Sequence, residues 1–248
     1  MKAIEAKIVV LGSQGVGKTS IVAKYISNIY SKEIGPTIGA SFFTCKINLN
    51  NVKVKMQLWD TAGQERFKAM APMYYRNANA ALLVFDVTNH TSFDEVKGWV
   101  LELQKNVQES MFLLLVGNKI DLEERRAVSH EEAVMYAQSI GAQFIETSVV
   151  RDQGIEQVFI SIGLGLINLS SESKCSSMRR YESKDSLLSS THSSMTNLSG
   201  IQYYDGVHMA IDISQSVEAN GVGRVEIGGA WEREAYAHGY PQKTGWCC

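Results

Sequence analysis

The sequence predicts an α/β fold, in which a six-stranded, mostly parallel sheet carries helices on both faces. Strand-like and helix-like segments alternate over residues 1–168. Two continuous apolar runs, Ala80 to Phe85 and Phe112 to Val116, are typical of buried parallel strands. A glycine-rich stretch separates the first strand from the first helix. Such a sheet binds ligands at the carboxyl ends of its strands, so we expect the functional site at that edge.

The predicted elements follow the order β-α-β-β-β-α-β-α-β-α. The first strand includes 8–11, the first helix covers about 18–27, and the alternating segments 41–49 and 52–59 form a hairpin with its turn at 48–51. Ser92 and Glu95 predict a capping box for a helix that runs to about Glu109. Ser129 and Glu132 predict the same for a helix ending near 140. The last strand spans 143–146, and the closing helix spans 154 to about 166.

Composition divides the chain into a domain at 1–168 and a tail at 169–248. Twelve serines lie between Ser170 and Ser199, and few large apolar residues recur regularly there. We therefore expect a tail that is mostly disordered. The net charge of -2 gives no case for bulk binding to nucleic acid. The N-terminus lacks an apolar signal core, and the cysteine spacing fits neither a disulfide framework nor a zinc site, which favours a reducing compartment.

The glycine-rich stretch has the spacing G-x-x-x-x-G-K-[ST] of a phosphate-binding loop. Its glycines allow backbone N–H groups to surround phosphates, and the helix that follows directs its positive dipole end at them. Lys18 is expected to reach the β- and γ-phosphates, and the Thr19 hydroxyl to bind Mg²⁺. A plain turn is the alternative, which the flanking strand and helix disfavour. The predicted binding residues are Gly15, Val16, Gly17, Lys18, Thr19 and Ser20.

A second motif, 59–65, ends the third predicted strand. Asp60 lies where a carboxylate holds Mg²⁺ through water, and Gly63 is able to turn its N–H toward a γ-phosphate. Gln64 carries an amide that is able to orient an attacking water. Taken by itself, Asp60 would be explained equally well as a turn residue at the end of a strand. Because Asp60 lies about forty residues after a phosphate loop, the metal site is favoured.

A third motif, Asn118 to Asp121, follows a buried strand. The Asp121 carboxylate is able to accept two parallel N–H bonds from guanine, whereas adenine offers no such pair. Asn118 is expected to tie loops together, and Lys119 to lie along the base. After the last strand, Ser148 and Val149 are placed to offer backbone N–H groups to the base.

The sequence resembles small Ras-superfamily GTPases, which are P-loop NTPases. The resemblance rests on five features in this order: the phosphate loop, Thr37 and segments 59–65, 118–121 and 146–148. Segments 37–42 and 71–76 and the terminal Cys247-Cys248 are similar to the Rab family. The switch regions are most similar to the endosomal branch of Rabs. The resemblance covers residues 6–168.

The resemblance implies site residues beyond those motifs. Thr37 is expected to bind both Mg²⁺ and the γ-phosphate, and Gln64 to be the catalytic residue. Phe42, Trp59 and Tyr74 match the aromatic triad that Rabs present to effectors. The alternative to an effector role is that Phe42 and Trp59 pack within the hairpin and that Tyr74 is an aromatic residue of a mobile loop.

The resemblance also implies a function. We expect a monomeric, membrane-anchored GTP/GDP switch that binds Mg²⁺ and hydrolyses GTP slowly. Its expected partners are an exchange factor, a GTPase-activating protein, effectors, an escort protein and a dissociation inhibitor. The double-cysteine end of Rabs, which Cys247 and Cys248 match, implies two geranylgeranyl groups. One lipid anchors only reversibly, whereas two anchor stably. The expected location is the cytoplasmic face of intracellular, endosomal membranes, with a cytosolic pool.

The sequence departs from the Rab pattern in four places. Gln14 is able to crowd the attacking water, Pro36 stiffens the loop before Thr37, and Val149-Val150 replaces the usual Ala-Lys of the base loop. The tail is long and, if unstructured, reaches ~50 Å. Two other functions therefore stay open: a nearly inactive GTP-bound recruitment module, and a small-molecule phosphotransferase.

Overall fold

The structure, a computed structural model, describes residues 2–28, 35–63, 70–171, 178–182, 224–227 and 231–238. The strands are β1 (Lys2–Leu11), β2 (Ala40–Leu49), β3 (Val52–Thr61), β4 (Ala80–Asp86), β5 (Phe112–Asn118), β6 (Gln143–Thr147), β7 (Arg179–Glu182), β8 (Arg224–Ile227) and β9 (Trp231–His238). The helices are α1 (Lys18–Ser27), α2 (Ala71–Tyr75), α3 (His90–Asn106), α4 (His130–Ser139) and α5 (Ile155–Ser171). A 3₁₀ helix covers Ile120–Arg125.

The first six strands form the predicted mostly parallel sheet, in the order β6-β5-β4-β1-β3-β2. Only β2 among them runs antiparallel, as the outer arm of the β2–β3 hairpin. The register places Val10 beside Asp60, Asp86 beside Asn118, and Asn118 beside Thr147. The carboxyl ends of the parallel strands therefore meet at one edge, where the sequence motifs were expected to converge.

Two apolar cores cover the sheet, one on each face. Strand alternation sends Ile8 and Val10 into the core beneath α1 and α5, whereas Val9 and Leu11 enter the core beneath α2, α3 and α4. Helix α5 extends beyond the predicted end near 166 to Ser171, because Ile167 and Leu169 still pack against the first core. No helix in the described part of the chain is long and apolar enough to cross a bilayer.

The predicted capping box at Ser92 is wrong. Asn89 caps α3, and its side-chain oxygen accepts a hydrogen bond from the Ser92 N–H. The Ser92 hydroxyl is buried and bonds instead to the backbone of Asp86 and Asn89. The helix consequently begins at His90 and ends at Asn106, before the predicted Glu109. At α4 the predicted cap is present, since Ser129 Oγ accepts from the Glu132 N–H at 3.1 Å.

Three tail segments lie on the sheet, which the expectation of a mostly disordered tail did not include. β7 pairs antiparallel with β1, β9 pairs with β2, and β8 pairs with β9. Both partner strands offer backbone groups there: β4 joins β1 only from Ile8 onward, and β2 is the last strand of the domain's own sheet. Apart from the end of α5 at 169–171 and Met178, the rest of the tail lies outside the described residues.

Candidate nucleotide-binding site

The phosphate-binding loop connects the end of β1 to the start of α1. Gly17 adopts φ 100°, and a Cβ there would collide with the side-chain amide of Asn118. Only glycine combines this backbone conformation with so close an approach. The loop therefore presents its backbone directly at the N-terminus of α1, where the helix dipole favours an anion.

Lys18 is held inside the loop. Its Nζ donates to the carbonyl oxygens of Gly12 and Ser13, both at 2.8 Å, and the residue is 5% exposed. Burial lowers the pKa of Lys18 to about 8, while the nearby carboxylates of Asp60 and Glu95 act in the opposite direction. A buried lysine of this kind favours a negatively charged ligand, such as a nucleotide phosphate, because the ligand would stabilise the cationic form.

Three side-chain oxygens converge next to the loop from three separate segments. Thr19 Oγ1 donates to Asp60 Oδ2 at 2.6 Å and lies 2.8 Å from Thr37 Oγ1. Asp60 is fully buried, and its Oδ1 has no hydrogen-bond partner among the described residues. Burial raises the pKa of Asp60 to about 6. A buried carboxylate oxygen without a partner is costly, and an all-oxygen set fits Mg²⁺. Thr19, Thr37 and Asp60 are the residues that would hold this ion.

A cavity of about 250 Å³ adjoins these oxygens. It brings together the phosphate loop, the segment that contains Thr37, and Gly63 at the end of the β3 segment. Gln14 also lines it, as the sequence anticipated for a residue able to crowd the site. The lining residues are Gln14, Gly15, Gly17, Lys18, Thr19, Ser20, Gly35, Pro36, Thr37 and Gly63.

The base-side loops are joined to the phosphate loop through Asn118. Its Nδ2 donates to the Val16 carbonyl oxygen at 2.8 Å, and its Oδ1 accepts from Thr147 Oγ1 at 3.0 Å. Lys119 pairs with Asp86 at 2.7 Å. The structure therefore places Asn118 between the phosphate loop, β5 and β6, in the tying position that the sequence predicted.

Asp121 is oriented by a hydrogen bond from the last loop of the site. Ser148 Oγ donates to Asp121 Oδ1 at 2.6 Å, and Ser148 is fully buried. This contact fixes the orientation of the Asp121 carboxylate. Val149, which follows, is buried, and Val150 is 56% exposed.

Arginines brace these base-side loops, which sequence reasoning missed. Arg126 bonds to both carboxylate oxygens of Glu123 at 2.8 Å, and its Nη1 donates to Glu146 at 2.7 Å. Arg151 Nη2 donates to the Asp121 carbonyl oxygen at 3.3 Å. Val150 replaces the lysine that is usual in Rabs, but Arg151 supplies another basic side chain that contacts the Asp121 loop.

Three aromatic side chains form a continuous surface cluster. The Phe42 and Trp59 rings, on paired positions of β2 and β3, lie 5.3 Å apart, and Trp59 and Tyr74 lie 6.2 Å apart. Two exposed apolar side chains lie nearby in the sequence: Ile38 precedes β2, which holds Phe42, and Met73 is next to Tyr74 on α2. Packing and an effector role remain compatible for these aromatics. Gln64, Cys247 and Cys248 lie outside the described residues.

Comparisons with known proteins agree with this geometry. The profile of the Ras family matches residues 7–167. RabJ of Dictyostelium discoideum is 49% identical over 164 residues, which are 66% of this chain and 64% of that protein. Human Rab-21 is 47% identical over 161 residues, which are 65% and 72% of the two chains. Rab5 of Nicotiana tabacum is 44% identical over 159 residues, which are 64% and 80%.

The fold and the site define a P-loop GTPase. The chain belongs to the Ras family and, within it, is a small GTPase of the Rab type. This confirms the predicted fold class and the resemblance that the sequence motifs carried.

The geometry at Asp121 predicts a change of base preference. In Asp121→Asn one carboxylate oxygen becomes an amide donor, which no longer matches the two N–H donors of guanine but does match the N–H and C=O of xanthine. We expect affinity for GDP to fall about 100-fold, because one charged hydrogen bond is lost and the other becomes a neutral one. Competition binding with guanosine and xanthosine diphosphates measures the preference. Asp152→Asn, in the neighbouring loop, is the control, and an unchanged preference in Asp121→Asn would contradict the assignment.

Proposed function

We propose that this protein is a membrane-anchored Rab-type switch, which binds GTP or GDP with Mg²⁺, hydrolyses GTP slowly and recruits effectors while GTP is bound. One observation carries the proposal. Thr19, Thr37 and Asp60 converge within hydrogen-bonding distance beside the phosphate loop, with Gly63 on the same cavity. This convergence supports a switch in which two loops contact the same phosphate.

The switch depends on backbone and side-chain groups from both loops. The N–H groups of Thr37 and Gly63 would bond to the γ-phosphate, while Lys18 neutralises its charge. Gln64 would orient the attacking water, and Mg²⁺ supplies charge stabilisation to the phosphates when bound. Loss of the γ-phosphate removes the partner that both loops share, which releases them from the site.

The aromatic cluster provides a way to read this state. Thr37 lies shortly before Phe42 on the approach to β2, and Gly63 lies shortly after Trp59 on β3. Movement of either loop would therefore displace a ring of the cluster or its surroundings. Aromatic residues are enriched at binding hot spots, which supports Phe42, Trp59 and Tyr74 as the effector surface.

The location and the partners follow from the Rab type. Prenylation of Cys247 and Cys248 would anchor the protein stably, since two lipid groups are needed for lasting attachment. Similarity of the switch sequences to endosomal Rabs supports the cytoplasmic face of endosomal membranes, with a cytosolic pool. The proposed partners are an exchange factor, a GTPase-activating protein, effectors, an escort protein and a dissociation inhibitor.

A nearly inactive recruitment module is the second candidate, because Gln14 lines the phosphate cavity. An amide there is able to hinder an arginine finger, which contributes ~10³–10⁵-fold to the rate. A small-molecule phosphotransferase is disfavoured, because the chain belongs to the Ras family. The hydrogen bond that orients Asp121 also supports its proposed role in binding guanine.

Single-turnover hydrolysis distinguishes the two candidates. We expect slow GTP hydrolysis by the protein alone and acceleration by a catalytic activating domain. Gln64→Leu should prolong the GTP state because the water loses its orienting group, and Thr19→Asn should weaken Mg²⁺–GTP binding. The measurement is the ratio of bound GTP to GDP over time, with Gln138→Leu on the surface of α4 as the control. Rates equal to buffer with and without the activating domain would support the recruitment module.

Membrane anchoring has a separate test in cells. The full chain should concentrate on internal membranes, whereas a variant that lacks Cys247 and Cys248 should be diffuse, because it has no acceptor for the two lipids. Fluorescence imaging of both variants, with Cys175→Ser as a control for other cysteine modification, measures this. Equal membrane fractions for all three proteins would contradict the anchoring role.

A further inference from the structure

A carboxylate from helix α3 reaches the phosphate loop. Ser13 Oγ donates to Glu95 Oε2 at 2.6 Å, between residues 82 positions apart. Ser13 is buried at 9% exposure, whereas Glu95 lies in an exposed turn of α3. The short distance is typical of a hydrogen bond to an ionised acceptor. The carboxylate that was expected to cap its own helix thus bonds to the loop that binds phosphate.

Ser13 is a junction between three parts of the site. Its hydroxyl bonds to α3, and its carbonyl oxygen accepts from Lys18 Nζ at 2.8 Å. A Cβ on Gly63 would collide with the Ser13 carbonyl and the Gln14 N–H, so the Gly63 backbone lies directly on the Ser13–Gln14 peptide. The position of this peptide therefore limits where Gly63 is able to settle.

Helix α3 gives Glu95 a rigid base. The neighbouring Phe93 and Val96 are fully buried in the core beneath the sheet, and Phe93 packs on Phe85 with 4.9 Å between ring centroids. Because packed cores do not deform continuously, α3 holds the acceptor in a constant place. The Ser13 hydroxyl consequently has a fixed partner on one side of the loop.

We propose that Glu95 is a positioning residue for the switch, which acts through Ser13 to hold the Ser13–Gln14 peptide where Gly63 must pack when GTP is bound. This inference rests on the proposed GTP/GDP switch. Gly63 is proposed to contact the γ-phosphate, which only GTP has, so loss of the Ser13–Glu95 bond weakens the GTP form more than the GDP form. The contact of Ser13 with Lys18, which is shared by both nucleotides, leaves only a small effect on GDP.

A purely electrostatic role for Glu95 has the opposite sign. A carboxylate near the phosphates repels them, and GTP carries more negative charge than GDP. Removal of that charge would then raise the preference for GTP. Glu95→Gln separates the two roles, because it keeps an oxygen acceptor for Ser13 but has no charge.

The test measures dissociation constants of the full chain for fluorescent GDP and a fluorescent non-hydrolysable GTP analogue, with Mg²⁺. In Glu95→Ala we expect the GTP-to-GDP affinity ratio to fall roughly threefold to fivefold, the effect of losing one partly solvated charged hydrogen bond. Affinity for GDP should stay within about twofold. Ser13→Ala should lower the ratio similarly and add nothing in the Glu95→Ala background. Glu95→Gln should restore most of the ratio, and Asp94→Ala on the same helix should leave it unchanged.

Several outcomes would overturn the inference. Equal weakening of both nucleotides in Glu95→Ala would show a general structural role, and a raised ratio in Glu95→Ala and Glu95→Gln would show electrostatic repulsion. If Glu95→Ala does not fold, Ser13→Ala and Glu95→Gln decide the question. Failure of the unaltered protein to bind either guanine nucleotide would instead refute the proposed function. If the unaltered protein binds both nucleotides normally and no variant changes the GTP-to-GDP affinity ratio, only the role of Glu95 is refuted.

Discussion

The site depends on one buried carboxylate. Asp60, the penultimate residue of β3, has no solvent exposure, and Thr19 satisfies only one of its two oxygens among the described residues. Burial of a carboxylate is unfavourable unless a cation or hydrogen bonds offset it. We infer that Mg²⁺ fills this requirement, because Thr19 and Thr37 complete a set of oxygens at the same point. The ion would then join β3, α1 and the loop before β2.

The sheet explains why these groups meet. β1, β3, β4, β5 and β6 run in one direction, so Gly12, Asp60, Asn118 and Ser148 all occur at one edge. The antiparallel β2 is the exception, and it leads from Thr37 to Phe42 on the surface. The same hairpin therefore connects the phosphate site to the aromatic cluster. A change in the bound nucleotide would have a short physical path to the proposed effector surface.

Motifs with a fixed local spacing were predictable from the sequence. The phosphate loop and the Asp121 loop each require particular residue types within a few positions, and the structure places both at the carboxyl edge of the sheet. The alternating pattern of 41–49 and 52–59 predicted the hairpin, and β2 and β3 form it. The asparagine turn of the hairpin was equally readable, since Asn50 and Asn51 both adopt the positive φ that asparagine tolerates.

Contacts between distant segments were not predictable in this way. Ser92 and Glu95 have the spacing of a capping box, yet the structure gives the cap to Asn89 and directs Glu95 to Ser13. Local spacing does not reveal which carboxylate a remote loop will meet. The strands of the tail were missed for a related reason: they depend on free edges of β1 and β2, not on an apolar period of their own.

The most direct measurement is the release of fluorescent GDP from the purified full chain before and after Mg²⁺ is removed with a chelator. If Asp60, Thr19 and Thr37 hold the ion beside the phosphates, release should accelerate by roughly tenfold or more, which corresponds to about 1.4 kcal/mol of lost stabilisation. In Asp60→Ala, release should already be fast and respond little to the chelator. An unaltered rate in the wild-type protein after chelation would contradict the metal-centred switch.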